Sequence, residues 1–389
     1  MFCGPFRRRK DEYVTTPGNQ RNSPGPSFVL NPASRKCTSP FIFLDPAERE
    51  DVVRYFRFRP DYQPTALRTL RGYAEQLGVA EVLVKDETAR LGLPAFKILG
   101  VAYAVHRLIE QGIIRHDSVL ACATAGNHGR AVARAGRQNN LKARIYVPAA
   151  ASQFRIQAIA AEGAEITIVD GSYDDSVIAV ARDAEARGWL VISDTAWPGY
   201  ETIPHLIMAG YTMLMMEAEE SWRAPPDLVI VQAGVGGLAG SVTGWLRQKY
   251  GADGPSIICC EPYEAACVFA SIAAGELRES SGSLQTIMGG LNCAKISTVA
   301  WPLLQAGVDA CVSVSDDAAI DAVRKLAYPF PGDPRILAGE SGACGVAALS
   351  WLFLHSESEP LRESLKLNRQ SRVLAIITEG IHHPEGARV

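Results

Sequence analysis

The sequence predicts an α/β protein with two units, each a mostly parallel sheet covered by helices on both faces. From Phe41 onward, short runs rich in Val, Ile and Leu alternate with helix-length segments, a pattern typical of parallel sheets. The chain has 389 residues, 47% of them hydrophobic, so it is long enough to bury two cores. We therefore expect two three-layer α/β/α units.

Residues 1–40 differ in composition from the rest of the chain. They are rich in Pro, Arg, Ser and Asn and show no sustained period, which predicts a flexible extension. The basic cluster at 7–10 is compatible with part of a targeting signal. Asp11 and Glu12 follow at once, however, and this favours a solvated tail.

The regular part of the chain divides into strands and helices in alternation. Strands are predicted at 81–85, 118–122, 143–147, 165–169, 190–193, 228–232, 256–260, 310–314 and 372–377. Helices are predicted at 127–138, 174–187, 238–250, 316–326 and 341–353. Ligands of such sheets bind beyond the carboxyl ends of the strands, so the loops there are the candidate sites.

Charge and composition narrow the classes of partner. The net charge of -3, from 39 basic and 42 acidic residues, lacks the basic excess of a nucleic-acid surface. No apolar stretch is long enough for a membrane span or a signal peptide, so a cytoplasmic protein is expected. The nine cysteines include no CxxC pair, which favours buried free thiols over a zinc site, and no metal site is predicted.

Lys97 is the first candidate for chemistry. It follows Phe96 after a Gly- and Pro-marked loop and begins an apolar run with helical period. Desolvation lowers the pKa of a lysine and suits it to covalent bonding with an aldehyde. A solvated lysine at a helix start is the ordinary alternative for this segment alone.

The segment AGVGGLAG at 233–240 follows a predicted strand and leads into a helix. Its glycines can present backbone N–H groups, and the helix N-terminus adds a partial positive charge, so the loop suits a phosphate. It has neither the GxGxxG spacing of a dinucleotide site nor a Walker lysine, which indicates a single phosphate on a small cofactor. A tight turn without a ligand remains the alternative.

The segment AGNHGR at 125–130 also joins a strand to a helix. The Asn127 side chain is placed to cap that helix or to bind a ring hydroxyl or a carboxylate. For His128 alone, packing is the more ordinary role.

In their order along the chain, three segments resemble the fold-type II pyridoxal-phosphate enzymes, the tryptophan synthase β-like family. They are Ala95-Phe96-Lys97, Gly126-Asn127-His128-Gly129 and Gly234-Val235-Gly236-Gly237. Within that family the chain is most similar to the diaminopropionate ammonia-lyases, from about residue 62 to residue 380. The similar segments lie at 84–87, 173–175, 194–197, 286–288, 339–342 and 378–380.

The resemblance implies an architecture and a cofactor. Pyridoxal 5'-phosphate would lie in the cleft between a larger domain, formed by 41–85 and 205–389, and a smaller α/β domain at 86–204. A homodimer that acts on a small amino acid is also implied.

The resemblance further implies a role for each matched residue. Lys97 would bind the cofactor covalently and then act as the base at the substrate Cα, with the cofactor ring as electron sink. Asn127 would bond the ring 3'-oxygen, and Thr378 would face the pyridine nitrogen, where a neutral hydroxyl suits elimination over transamination. A strand-end role is the alternative for Thr378. The phosphate would be held by the loop of Gly234, Val235, Gly236 and Gly237, and Phe96 and Glu340 would complete the cofactor site.

Three positions depart from the pattern of the lyases. Ala125 replaces an aspartate that the family uses for proton removal from the D-substrate and for recognition of the β-amino group. Pro94 replaces Asn, and Ile381 replaces an acid. Asp194 remains, either as a second catalytic acid or as a cap for the segment after it.

These observations predict α,β-elimination on an L-amino acid such as 2,3-diaminopropionate, releasing a 2-oxo acid and ammonia through an aminoacrylate. One alternative is a β-substituting synthase in a specialised pathway. A second is a catalytically silent, cofactor-binding regulator, against which the intact Lys97 argues. A nucleotide-dependent dehydrogenase is disfavoured because the dinucleotide glycine spacing is missing.

Overall fold

The structure, a computed structural model, describes residues 27–34 and 42–381. Its strands are β1 Ser27–Leu30, β2 Leu67–Thr69, β3 Glu81–Asp86, β4 Val119–Ala123, β5 Lys142–Pro148, β6 Glu165–Val169, β7 Leu190–Val191, β8 Leu228–Gln232, β9 Ser256–Pro262, β10 Ala310–Val314 and β11 Arg372–Ile377. They form a seven-stranded sheet of order β1-β10-β9-β8-β11-β3-β2 and a four-stranded sheet of order β6-β5-β4-β7.

The helices alternate with these strands. They are α1 Pro46–Arg57, α2 Arg71–Leu77, α3 Lys97–Glu110, α4 Asn127–Gln138, α5 Gln153–Ala160, α6 Tyr173–Arg187, α7 Thr202–Ser221, α8 Gly237–Tyr250, α9 Cys267–Ala274, α10 Trp301–Gly307, α11 Asp316–Ala327, α12 Glu340–Leu354 and α13 Glu359–Ser364. Within the described ranges, no helix combines the length and the apolar character that a membrane crossing demands.

Both sheets are mainly parallel, as predicted. In the large sheet β10, β9, β8, β11 and β3 run parallel, and the antiparallel β1 and β2 occupy the edges. In the small sheet every pairing is parallel. The predicted strands 165–169, 228–232, 310–314 and 372–377 and the helix 127–138 are confirmed to the residue. The predicted strand 190–193 is too long, since β7 ends at Val191.

The prediction of a flexible extension over residues 1–40 is wrong for residues 27–30. These residues form β1, which pairs antiparallel with β10 from Ser27↔Ser313 to Leu30↔Ala310. A four-residue strand has too little periodicity to be recognised alone, and its stability comes from the edge it pairs with. Residues 1–26 and 35–40 lie outside the described residues.

The division into domains stays a prediction, but the two sheets give it a framework. Every strand of the small sheet falls within the predicted smaller domain at 86–204. Apart from β1, the strands of the large sheet fall in 41–85 and 205–389, with β3 extending by one residue to Asp86.

Helices α3 and α7 approach closely because each presents a glycine to the other. A Cβ atom added to Gly100 would lie 2.6 Å from the Ile207 carbonyl oxygen, and one added to Gly210 would lie 2.6 Å from the Leu99 carbonyl oxygen. Backbone on both sides leaves no room for a side chain. This contact fixes the start of α3, and with it Lys97, against α7.

A buried cluster of four charged side chains joins β3 to α7. The Lys85 Nζ lies 2.6 Å from the Glu217 Oε2, the Arg90 Nη1 lies 2.7 Å from the Glu217 Oε1, and the Arg90 Nη2 lies 2.6 Å from the Glu87 Oε1. All four side chains are fully buried, and their charges cancel. Thr65 adds a hydroxyl that donates to the Glu87 Oε1 at 2.5 Å.

Seven of the nine cysteines fall within the described residues, and these seven are free thiols. Six are buried, and Cys293 is partly exposed. Over 27–34 and 42–381, no group of three or more His, Cys, Asp or Glu side chains is arranged to hold a metal ion.

Glu261, near the end of β9, is a buried carboxyl. Within the described residues it forms no ion pair with a Lys, Arg or His side chain. Its oxygens accept N–H bonds from Val268 at 2.9 Å and Phe269 at 2.7 Å, in the first turn of α9. Burial outweighs these bonds and raises the pKa of Glu261 to about 8. The native protein therefore holds a proton there that an unfolded chain releases near pH 4.5.

We predict that this proton makes the fold less stable as pH rises. Because the native pKa is the higher one, the stabilisation is complete below about pH 4.5 and is lost progressively up to about pH 8. Glu261→Gln, which does not titrate, should flatten this dependence. Urea unfolding of both proteins between pH 5.5 and 8.5 measures it, and parallel curves would contradict the assignment.

Candidate active site

Four helices that begin near one another have no side-chain cap. They are α3, α4, α8 and α12, with Phe96, Gly126, Gly236 and Gly339 at their N-caps. Five other described helices, α2, α7, α9, α10 and α13, also have no side-chain cap, whereas α1, α5, α6 and α11 begin with a side-chain oxygen that accepts a backbone N–H, from Asp45, Ser152, Ser172 and Ser315. Uncapped N-termini leave donors free and carry partial positive charge, so this cleft suits anionic ligand groups.

Backbone bonds to the end of β11 position Lys97. The Phe96 N–H donates to the Thr378 carbonyl at 3.2 Å, and the Gly380 N–H donates to the Pro94 carbonyl at 2.9 Å. The Phe96 ring packs edge-on against Tyr211, with 4.8 Å between the ring centroids. Phe96 and Lys97, predicted from one segment, and Thr378, predicted from another, thus lie together.

Lys97 forms a close ion pair with Asp194, which follows β7. The distance from the Lys97 Nζ to the Asp194 Oδ2 is 2.6 Å, and the side chains are 21% and 17% exposed. Burial opposes the charge on Lys97, but the carboxylate outweighs it and raises the pKa of the amine. Burial likewise opposes the charge on Asp194, but the Lys97 ammonium outweighs it and holds the pKa of that carboxyl below its usual range. The two predicted roles of Asp194, a second catalytic acid or a cap for the segment after it, stay predictions.

The His128 ring lies near the same oxygen of the Asp194 carboxylate. Its Nε2 lies 2.8 Å from the Ile192 carbonyl oxygen, and its Nδ1 lies 3.7 Å from the Asp194 Oδ2. Because a carbonyl only accepts, the Nε2 carries the hydrogen. Burial lowers the pKa of His128 against the raising effect of Asp194, which favours the neutral ring.

The predicted phosphate loop is shaped by two close approaches. Gly236 has φ of 88°, a conformation that favours glycine, and the Gly240 N–H donates to its carbonyl at 2.7 Å. A Cβ atom on Gly234 would lie 3.0 Å from the Cys293 sulfur. The Val235 carbonyl accepts from the Ser297 N–H at 2.9 Å. The Val235 carbonyl is thereby engaged by Ser297. The uncapped N–H groups at the start of α8 suit an anionic ligand group.

Asn127 is the first residue of α4 and does not cap it. The N-cap is Gly126, so the capping alternative is wrong. The Asn127 Nδ2 instead donates to the Glu379 Oε2 at 2.6 Å. The end of β4 and the end of β11, which belong to different sheets, are joined by this bond.

Thr378 makes its side-chain contact to Gln232, the last residue of β8. The Gln232 Nε2 donates to the Thr378 Oγ1 at 3.0 Å, and Thr378 is 4% exposed. The Thr378 hydroxyl therefore has a buried hydrogen-bond partner. The strand-end alternative assigns Thr378 a packing role only and does not account for this bond.

A small cavity beside Asn127 contains Ala125, one of the positions that depart from the pattern of the lyases. Its lining includes Ala125, Gly126, Arg155 and Glu379. Ala125 offers it no carboxylate, and the Glu379 carboxylate is engaged by Asn127. Arg155 contributes a guanidinium group to the same wall.

Glu340 begins α12 and is half-buried. The bond from this turn to the neighbouring loop comes instead from Ser341, whose Oγ accepts from the Gly290 N–H at 2.9 Å.

Sequence reasoning missed three polar residues of the site. The sequence pattern indicated only a strand end at Gln232 and an apolar helix position at Tyr211. Glu379 belonged to a similar segment but was given no role. Burial raises the pKa of Tyr211 against the positive charge of Lys97, and the Tyr211 ring contacts Phe96, the residue before that lysine. A buried glutamine before a glycine loop is the one signal that was present in the sequence.

Comparison with known families gives one match that covers most of the chain. Residues 58–379 match the family described as pyridoxal-phosphate dependent enzyme.

Two curated relatives are diaminopropionate ammonia-lyases. The one from Escherichia coli (strain K12) is 39% identical over 337 residues, covering 82% of this chain and 85% of the relative. The one from Salmonella typhimurium is 37% identical over 361 residues, covering 86% of this chain and 89% of the relative.

A solved structure is similar over nearly its whole length. The diaminopropionate ammonia-lyase from Escherichia coli, in complex with an aminoacrylate-PLP azomethine reaction intermediate, has a TM-score of 0.86 and 36% identity, covering 93% of this chain and 96% of that chain. Threonine deaminase isoform 2 from Solanum lycopersicum has a TM-score of 0.72 at 22% identity and covers 93% of this chain and 95% of that chain, so it shares the fold.

Proposed function

The chain belongs to the family of pyridoxal-phosphate dependent enzymes, and from this membership we propose that it eliminates ammonia from L-2,3-diaminopropionate and releases a 2-oxo acid. The observation that carries the proposal is the 2.6 Å contact between the Lys97 amine and the Asp194 carboxylate. The chain is similar to the ammonia-lyase structure at a TM-score of 0.86, which supports the proposal.

The residues of the cleft fit pyridoxal phosphate. A lysine amine faces the cleft, and the uncapped N-terminus of α8 with Gly236 at φ of 88° supplies a cradle for a phosphate. Lys97 would hold the aldehyde carbon, the loop from Gly234 to Gly237 the phosphate, Asn127 the 3'-oxygen and Thr378 the pyridine nitrogen. Once bound, the cofactor supplies an electron sink for the charge that develops at the substrate Cα.

The Lys97–Asp194 pair predicts the charge of the substrate. To act as the base at Cα, Lys97 has to be a neutral amine, and the positive charge that now compensates Asp194 is then absent. A buried carboxylate left alone is costly, so it requires another cation. The β-ammonium group of 2,3-diaminopropionate supplies that cation, and Asp194 then orients the leaving group.

The α-carboxylate of the substrate has a matching position. The first turn of α4 is uncapped, and the Thr124 Oγ1 accepts from the Gly126 N–H at 3.2 Å, which shapes the loop before it. N–H groups at a helix start bind carboxylates well. A substrate bound there lies between this turn and the Lys97 amine, which is then placed to remove the Cα proton.

Asp194→Asn should lower kcat/KM for L-2,3-diaminopropionate by about 100-fold, because the amide cannot compensate a β-ammonium group. The loss should be smaller for β-chloro-L-alanine, whose β-substituent carries no positive charge for Asp194 to compensate. Steady-state release of 2-oxo acid from both substrates measures the ratio. Asp317→Asn, at an exposed position, is the control. Equal losses on the two substrates would contradict the proposed contact.

Ala125 makes the enzyme selective for the L-isomer. We expect D-2,3-diaminopropionate to be turned over at least about 100-fold more slowly, since no carboxylate is present at that position to take the proton from the opposite face. Ala125→Asp should raise turnover of the D-isomer, and Ala125→Asn, similar in size but not a base, should not. Robust turnover of the D-isomer by the natural chain would refute this selectivity.

Homodimeric assembly and a cytoplasmic location stay predictions, supported only by the family resemblance and by the character of the sequence. Light scattering coupled to gel filtration tests the first of these.

A further inference from the structure

Gln232 is buried at the carboxyl end of β8, in the middle of the large sheet. It is 2% exposed. Its Nε2 faces three oxygens, the Ser341 carbonyl at 3.1 Å, the Gly342 carbonyl at 3.1 Å and the Thr378 Oγ1 at 3.0 Å. A polar side chain so deeply buried is costly unless it serves these contacts.

The orientation of the Gln232 amide is determined by its neighbours. Backbone carbonyls only accept hydrogen bonds, so the group that faces Ser341 and Gly342 has to be the NH₂ group. The reverse orientation would set the Oε1 against two carbonyl oxygens. In the present orientation the Oε1 is buried and finds no partner within the part of the chain that the structure describes.

This orientation determines what the Thr378 hydroxyl can do. Because Gln232 offers only hydrogens, Thr378 accepts from it. A hydroxyl has one hydrogen of its own, which remains to be donated. Among residues 27–34 and 42–381, the Thr378 hydroxyl donates that hydrogen to no protein acceptor.

We propose that Gln232 is a positioning residue that holds the Thr378 hydroxyl so that its single hydrogen points to the pyridine nitrogen of the bound cofactor. The inference rests on the proposed placement of Thr378 at that nitrogen. A protonated ring nitrogen would compete with Gln232 to donate to the Thr378 Oγ1. The hydroxyl hydrogen would then have no acceptor in a buried site, which is costly. Gln232 thereby keeps the ring nitrogen unprotonated, and restrained electron withdrawal favours elimination over transamination.

A double-mutant cycle on the holoenzyme tests the proposal. The variants are Gln232→Leu, Thr378→Val and the pair together, with Thr378→Ser as the matched control that retains the hydroxyl. The first readout is the dissociation constant of pyridoxal phosphate, measured by cofactor absorbance. The second is the ¹⁵N resonance of cofactor labelled at the ring nitrogen, which reports protonation directly.

Gln232→Leu should weaken cofactor binding by about tenfold, the effect of one lost hydrogen bond, in the natural chain and in the Thr378→Ser background. In the Thr378→Val background the same substitution should have little further effect, since the group through which it acts is gone. The ¹⁵N resonance should show an unprotonated ring in the natural chain and partial protonation in Gln232→Leu.

Two results would overturn the proposal. One is a protonated ring nitrogen in the natural holoenzyme. The other is an effect of Gln232→Leu that is the same with and without the Thr378 hydroxyl, which would show a purely structural role. Neither readout uses turnover, so failure of the enzyme to act on L-2,3-diaminopropionate is distinguished from failure of this inference.

Discussion

Lys97→Ala is expected to lower kcat/KM for L-2,3-diaminopropionate by about 10⁴-fold, because one amine provides both the covalent hold on the cofactor and the base at Cα. The fold should survive. Lys97 is the first residue of α3, and the side chains of Lys97 and Asp194 are 21% and 17% exposed, so the variant leaves no sealed core cavity and water can reach the carboxylate that loses its cation.

The measurement combines kinetics with chemistry. Borohydride reduction of the natural holoenzyme followed by peptide mapping should label Lys97, and the variant should incorporate no label. Lys295→Ala, which removes a lysine with an exposed partner in Glu279, is the matched control and should retain full activity. Turnover by Lys97→Ala above a tenth of the natural rate would assign the base to another residue.

Glu217→Gln is expected to lower the free energy of unfolding by about 3–5 kcal/mol, the range observed when one member of a buried ion cluster is removed. The carboxylate compensates Lys85 at 2.6 Å and Arg90 at 2.7 Å, and all three side chains are fully buried. The amide would leave one unit of positive charge without compensation. Burial opposes the charge on Glu217, but Arg90 and Lys85 prevail and lower its pKa.

A glutamate on the same helix provides the control. Glu220 pairs with Arg57 at 2.5 Å, and its side chain is 58% exposed, so Glu220→Gln should change the unfolding free energy by less than about 1 kcal/mol. Urea denaturation of both variants at one pH gives the two values. A similar small effect at both positions would show that water or rearrangement compensates the buried cluster.

The sequence contained the strands and the motifs but not the contacts between them. Strands such as Leu228–Gln232 were recognisable because uninterrupted apolar runs between polar loops are typical of buried parallel strands. Lys97 was recognisable from its position between a Gly- and Pro-marked loop and an apolar run with helical period. Both signals are local.

The contacts depend on topology, which local patterns do not contain. Gln232 and Thr378 are 146 residues apart and meet because β8 and β11 are neighbours in the sheet. Lys97 and Asp194 are 97 residues apart and meet because α3 begins, and the segment after β7 lies, at one cleft. Strand β1 escaped prediction for the same reason, since its pairing with β10 spans most of the chain.

The bare starts of α3, α4, α8 and α12 have a consequence for how the protein matures. A bound cofactor supplies hydrogen-bond acceptors to the N–H groups at these helix starts. The supply of pyridoxal phosphate therefore changes the folding equilibrium. By mass action, each tenfold excess of cofactor over its dissociation constant adds about 1.4 kcal/mol to the native state. Melting temperature should therefore follow cofactor concentration, and a chain made in vitamin-poor cells should be cleared sooner by proteases.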